Sequence, residues 1–242
     1  MHEFFLSVII PAFNEEGRIE STLKSIVDFL NKKNITYEII VVNDGSVDKT
    51  SQIVSSYLDT IKNLHLISFE KNLGKGAAVC AGMLKSTGLW RIFTDADNAT
   101  PIEELDKLLQ YTNQNDIVIG SIATEDAEIK KHESFIRSVS GKIGNRLIRY
   151  ITGIPFLDTQ RGFKLFSAKS ANAIFPYVQT TGWGFDIEVL ALAQKMNFKI
   201  KEVGVKWTHK SGSKVGPLAY FQVLFQLTKI RGRVNNFNEL GK

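Results

Sequence analysis

Short apolar runs alternate with amphipathic stretches through the first half of the chain. Residues 5–10 form an apolar run ended by Pro11, the pattern of a buried strand. Ile19, Leu23, Ile26, Val27 and Leu30 then recur at helical spacing. Residues 38–43 (EIIVVN) make a second strand, closed by Asp44-Gly45-Ser46 and followed by a helix with Ile53, Val54, Tyr57 and Leu58 inward. Residues 64–69 (LHLISF) alternate as a third strand, and 76–85 form a small-residue helix. Residues 90–94 predict a fourth strand that delivers Asp95-Ala96-Asp97. Thr100 as N-cap, Pro101 at the first helical position and Glu103 closing a capping box predict a helix start. Residues 116–120 (DIVIG) are a fifth strand.

Strand alternating with helix predicts an α/β fold, with a mainly parallel sheet covered by helices on both faces. Such sheets bind ligands beyond the carboxyl ends of their strands. The polar clusters fall there: Asn14-Glu15 after the first strand, Asp44 after the second, Asp95 and Asp97 after the fourth. Past residue 120 the pattern changes. Residues 121–133 read as a polar loop, and 135–151 as a basic amphipathic helix carrying Arg137, Lys142, Arg146 and Arg149. A short strand at 163–166, a helix at 186–196, a strand at 199–206 and a helical tail at 218–233 follow. Without repeats or a low-complexity linker, the chain reads as one domain over residues 1–215 with an amphipathic extension over 216–242. That extension has two readings: a helix in a membrane interface, with Lys229, Arg231 and Arg233 meeting anionic headgroups, or a helix docked on the core.

Composition adds little to this outline. The 242 residues are 43% hydrophobic and 23% charged, an ordinary globular balance. A net charge of +5 favours anionic partners such as nucleotides, lipid phosphates or a membrane surface, and is too weak to argue for nucleic acid. The single cysteine, Cys80, allows no internal disulfide and sits in a small-residue run, so it reads as packing. No apolar run approaches the ~20 residues that span a bilayer. With no signal-peptide pattern, the expected location is cytoplasmic, soluble or peripheral on the cytoplasmic face of a membrane.

Chemistry concentrates in a few motifs. Asp95 and Asp97, two residues apart past a strand, can present oxygens to Mg²⁺ or Mn²⁺, which take few protein carboxylates and fill their shell with phosphate oxygens and water. Asp44-Gly45-Ser46 fits a turn and helix cap, a role compatible with nucleotide binding. Asn72-Leu73-Gly74-Lys75-Gly76-Ala77-Ala78 is glycine-rich but matches neither a dinucleotide fingerprint nor a Walker A loop; Lys75 fits a phosphate contact or a surface lysine. The four histidines lack zinc spacing, and no G-x-S-x-G elbow supports a serine hydrolase. Asp186 and Glu188 fit either a helix dipole or a catalytic role.

Taken in order, these blocks resemble a known family. Residues 7–16 (SVIIPAFNEE), Val42-Asn43-Asp44-Gly45-Ser46, Asn72-x-Gly74-Lys75-Gly76-Ala77-Ala78 and Asp95-Ala96-Asp97 resemble the inverting family 2 glycosyltransferases of GT-A fold. Residues 158–166 (DTQRGFKLF), 182–188 (GWGFDIE) and Trp207-Thr208-His209-x-x-Gly212-Ser213-Lys214 resemble the dolichyl-phosphate β-glucosyltransferase branch, with the mannose synthases close by.

The resemblance implies transfer from a nucleotide-diphospho-sugar, UDP-glucose being favoured, to a polyprenyl phosphate at a membrane surface. It places Pro11, Ala12, Asn14, Glu15, Asp44 and Lys75 around the nucleotide sugar. Asp95 and Ala96 fall beside ribose and diphosphate, and Asp97, with Asp95, on the metal. In mannose synthases a glutamine two residues beyond the second Asp also binds metal; Ala99 stands there, which implies a water-rich shell. Arg137, Ser140, Arg149 and Lys214 are the candidates for the acceptor phosphate, and Asp158 and Asp186 the candidate catalytic acids, neither assigned as a base. Two other readings remain: a family 2 enzyme using GDP-mannose or a saccharide acceptor, and a noncatalytic nucleotide-sugar-binding protein.

Overall fold

The computed structural model describes residues 2–131, 146, 148–210 and 217–237, with only the backbone at 130, 131 and 217–225. A seven-stranded sheet carries the fold. Its strands are β1 (Leu6–Ala12), β2 (Tyr37–Asn43), β3 (Leu64–Ser68), β4 (Trp90–Thr94), β5 (Ile117–Ser121), β7 (Phe163–Ser167) and β8 (Ile200–Gly204), in the order β3-β2-β1-β4-β7-β5-β8. Every pairing is parallel except those of β7, which lies antiparallel between β4 and β5. Two further short strands, β6 (Glu128–Lys131) and β9 (Lys206–Thr208), pair in parallel as a separate sheet.

Helices cover both faces, so the central strands are continuous apolar runs rather than alternating ones. Leu6, Val8 and Ile10 of β1 meet Ile19, Leu23, Ile26 and Leu30 of α1 (Ile19–Asn31) on one face. Ile9 meets Val79 and Met83 of α3 (Lys75–Lys85) on the other. That second face continues under α5 (Ala168–Ile174), α6 (Phe185–Lys195) and α7 (Pro217–Asn235). The short helices α2 (Thr50–Ser55) and α4 (Leu105–Leu109) complete the first half.

Several sequence expectations need correction. β1 runs through Pro11 to Ala12 instead of stopping. The backbone of Ala12 points to β2, accepting from Asp44 N at 2.8 Å, so Pro11 faces the β4 side, where pairing has already ended at Ile9 and Phe93. Its missing N–H therefore costs no ladder bond. Leu58 is exposed, because α2 ends at Ser55 and Ile61 and Leu64 fill the core instead. The expected capping box is not formed. Pro101 is the N-cap of a 3-10 turn, Ile102–Glu104, with no side-chain cap, and Glu104 instead accepts from Lys206 N at 3.0 Å. Residues 128–131 of the expected loop are β6, and the strand expected at 199–206 divides into β8 and β9. The patterning missed α5, which Ser167 caps by accepting from Ser170 N. Most of the basic helix expected at 135–151 lies outside the described residues; 148–152 are helical.

The tail helix docks. Leu227 and Ile230 are fully buried and Val234 nearly so, in one core with α6. Among the described residues, no helix is long and apolar enough to cross a membrane.

Candidate active site

The strand order reverses at β1, which has β2 on one side and β4 on the other. Crevices open at the carboxyl ends of strands at such a switch point. The loop after β1 is fastened to the loop after β2. Asn14, in the left-handed region at φ 51°, donates its N–H to Ser46 Oγ at 2.9 Å and accepts at Oδ1 from Val47 N at 2.9 Å. Asparagine is one of the few residues that tolerates that conformation. Glu15 donates its N–H to Thr50 Oγ1 at 2.7 Å, and its carboxylate pairs with Arg18 at 2.6 Å. Pro11 and Ala12, buried at the end of β1, form the floor beside them.

Asp44 anchors the next rim segment. Its carboxylate accepts from Leu73 N at 2.7 Å and from Gly74 N at 3.0 Å, just before α3. Burial raises its carboxyl above the ordinary range, and those two N–H donors offset the rise only in part. Gly74 sits at φ 103°, and a Cβ there would lie 2.4 Å from Thr181 O. Glycine is thus required both for the backbone angle and for the close approach.

The next residue, Lys75, turns inward. Its Nζ lies 2.5 Å from Asp95 Oδ1 and 5.5 Å from the centre of the Trp183 ring. Burial would lower its pKa, but Asp95, Asp186 and Asp97 together outweigh that and hold it above the ordinary lysine value. The structure therefore favours an interior lysine over a surface one.

Asp95 and Asp97 flank the end of β4. Asp95 donates its N–H to Gly162 O at 3.2 Å, and Ala96, buried, accepts at its carbonyl from Thr22 Oγ1 at 2.7 Å. Asp97 accepts from Ala99 N at 3.0 Å. Burial first, and the neighbouring Asp95 charge second, hold the Asp97 carboxyl above its ordinary range against the pull of Ala99 N–H, Arg18 and Lys75. Among the described residues, no group of three metal-ligating side chains exists here or elsewhere. The donor set is two carboxylates at one strand end, which suits a hard dication whose remaining ligands are phosphate and water.

The two candidate acids stand in different surroundings. Asp186, at the start of α6, is buried and pairs with the fully buried Lys164 of β7 at 2.7 Å. Burial raises its carboxyl above the ordinary range, while Lys164 and Lys75 pull it back. Asp158 accepts from Ile122 N at 3.2 Å and lies 3.3 Å from Arg161 Nε, while its own N–H donates to Glu202. Its partners brace the loop leaving β5. Of the acceptor-phosphate candidates, Arg137, Ser140 and Lys214 lie outside the described residues. Arg149 is half-buried, and its Nε has no hydrogen-bond partner among the described residues. Cys80 is half-buried and its thiol is pushed up to about 12, mainly by burial, as packing requires and a nucleophile does not.

Three residues that patterning passed over shape this rim. Lys164 interrupts the apolar run of β7, and a lysine inside a buried strand signals a buried partner. Trp183 supplies the ring over Lys75. Gly162 lies so near Asp95 that a Cβ would sit 2.3 to 2.4 Å from its carboxylate atoms. Gly162→Ala is therefore expected to leave the fold standing, since a side-chain end can swing away, but to displace Asp95 from Lys75. Turnover should fall roughly 10- to 100-fold with little change in melting temperature; wild-type turnover would refute the placement.

Comparison with known proteins identifies the family. The pattern described as Glycosyl transferase family 2 matches residues 7–175. The chain belongs to glycosyltransferase family 2. Among its relatives, the dolichyl-phosphate β-glucosyltransferase of Dictyostelium discoideum is 37% identical over 243 residues, covering 95% of this chain and 74% of the relative. The enzyme of the same name from Saccharomyces cerevisiae is 36% identical over 235 residues, covering 88% and 70%. In fold, this family 2 glycosyltransferase is similar to glucosyl-3-phosphoglycerate synthase of Mycobacterium tuberculosis, with a TM-score of 0.70 at 18% identity over 95% of this chain and 81% of the other. The GT-A architecture expected from the sequence is the one observed.

Proposed function

We propose that this glycosyltransferase moves glucose from UDP-glucose to a dolichyl-type polyprenyl phosphate, with inversion, using Mg²⁺ or Mn²⁺ held by Asp97 and Asp95. The observation that carries the reading is the rim itself. Asp44 and the start of α3 border one side, the Asp95–Asp97 carboxylates the other, and Lys75 lies between them. Support for donor and acceptor comes from the relatives named above, which match nearly the whole chain. The M. tuberculosis synthase has been crystallised with Mn²⁺, UDP-glucose and glycerol 3-phosphate.

In the proposed reaction a phosphate oxygen of the acceptor attacks the anomeric carbon, and the bond from that carbon to the donor diphosphate breaks. The dication would neutralise charge on the departing diphosphate. Lys75 adds a fixed positive charge beside it. The acceptor phosphate is already ionised near neutral pH, so orientation by cations matters more than a strong general base. Arg149 is the described candidate for that role, with Arg137, Ser140 and Lys214 proposed from the sequence. Asp186 is proposed to shape the field around Lys75, and a chemical role for Asp158 or Asp186 remains part of the proposal. A lipid acceptor would put the enzyme at a membrane surface, proposed to be the cytoplasmic face, with the 216–242 extension contributing contact.

The test is a panel of nucleotide sugars offered with a short polyprenyl phosphate and Mg²⁺ or Mn²⁺. Product from UDP-glucose, and binding to liposomes in flotation, are expected. Transfer from GDP-mannose alone, or only to free saccharides, overturns the donor or acceptor assignment respectively.

A further inference from the structure

Arg233 lies near the end of α7, far along the chain from the donor rim, yet the contacts between them are continuous. Its Nη2 donates to Thr180 Oγ1 at 2.7 Å, and its Nη1 donates to Gln179 Oε1 at 3.3 Å. Its Nε stands 3.2 Å from Glu188 Oε1 as an ion pair. Glu188 of α6 is almost wholly buried, and its other oxygen accepts from Gln179 N at 3.1 Å and Thr180 N at 2.6 Å. One guanidinium and one buried carboxylate thus fix both the backbone and the side chains of residues 179–180.

That segment is in turn the seat of the first turn of α3. Thr181 O accepts from Ala77 N at 3.2 Å. A Cβ at Gly74 would lie 2.4 Å from Thr181 O, and one at Gly76 would lie 2.5 Å from Thr180 O. Backbone therefore meets backbone, with no flexible side chain to absorb a shift. The turn so seated carries Lys75 and the Gly74 N–H held by Asp44. The same helix also docks through apolar contacts, with Leu227, Ile230 and Val234 buried in the core.

We propose that Arg233 is a positioning residue for the donor site. Through Glu188 and residues 179–181 it sets the first turn of α3, so that the C-terminal helix is part of the donor-binding machinery. The inference rests on the reading of that turn as the donor rim.

The test compares Arg233→Met, Arg233→Lys and Thr180→Val with the wild type in two measurements. In the first, UDP with Mg²⁺ is titrated calorimetrically and KM for UDP-glucose is separated from kcat. Arg233→Met should weaken UDP binding and raise donor KM about 5- to 50-fold, with kcat little changed. Arg233→Lys should recover part of the loss, since it keeps the charge but not the fork. Thr180→Val should show a smaller change in the same direction. In the second, amide exchange of residues 72–77 is followed without nucleotide. Selective loss of protection there in Arg233→Met or Thr180→Val supports the linkage even if the wild type proves to bind a different nucleotide, in which case only the donor assignment fails. Unchanged protection at 72–77, or a uniform loss across the sheet that Arg233→Lys does not repair, overturns the proposal.

Discussion

Asp97→Ala is expected to lower transfer by roughly 100- to 1000-fold or more, the scale of losing a main electrostatic contact to developing charge. The fold should survive. The carboxylate sits where burial and Asp95 disfavour its charge, so its removal relieves repulsion as well as deleting a group. Against that relief stands the loss of the acceptor for Ala99 N–H, worth about 1 kcal/mol. The melting temperature should therefore change little while turnover collapses. Titration of Mn²⁺ in the presence of UDP should show correspondingly weakened binding, and excess chelator should reduce the wild type to the level of the variant. Near-normal turnover of Asp97→Ala with chelator present would end the metal proposal.

The largest effect on stability is expected at Lys164→Met. Lys164 is fully buried in β7 and Asp186 is nearly so in α6, and their ion pair joins the sheet to the helix layer. Removing the lysine leaves a carboxylate in the interior without its main counter-ion. The expected loss is about 3–5 kcal/mol at neutral pH. Its pH dependence has a definite sign. Asp186 already titrates above its unfolded value, and loss of Lys164 pushes it higher. A carboxyl with a raised folded pKa binds protons more readily folded than unfolded. It costs stability above that pKa, and the cost disappears as pH falls to its unfolded value near ~4. Urea unfolding at pH 5 and pH 8 should thus find the variant closest to wild type under acid conditions. A deficit that is constant with pH, or larger in acid, would refute the charge argument.

The parts of this molecule legible in the sequence are those set by local patterning. The strands 38–43 and 90–94 are runs too apolar for a surface, and the acids that follow them fall on the rim because the chain must turn there. Asp44, Asp95 and Asp97 stand out on that ground, as Asn14 does after β1, and the ordered family blocks around them, not the pattern alone, suggest their roles. What periodicity cannot carry is tertiary pairing. Lys75 looks equally like a surface lysine until Asp95 and Trp183 are seen beside it. Pro11 appears to stop a strand until the side it faces is known to be unpaired. The capping residues Thr100 and Glu103 fit a helix start, but the structure begins there with a 3-10 turn and uses Glu104 to hold Lys206. Strand β6 is too short and polar to announce itself without its partner β9.

The reversed strand β7 has a consequence for how such a chain can vary. Because β5 and β7 are antiparallel neighbours, with Ile119 opposite Lys164, the chain leaves the sheet after Ser121 and returns at Phe163 at the same end of the strands. To the sheet, residues 122–162 are the insert of a wide hairpin, whose closure is already secured by the ladder. Lengthening a closed loop costs only about 0.6 kcal/mol per doubling. Length can therefore change in this stretch at little cost in closure entropy, provided that β6, paired with β9, and the buried Ile148 and Ile154 are kept. Exchange of this stretch between relatives is a natural place to begin altering specificity, since the residues proposed to bind the donor lie elsewhere in the chain.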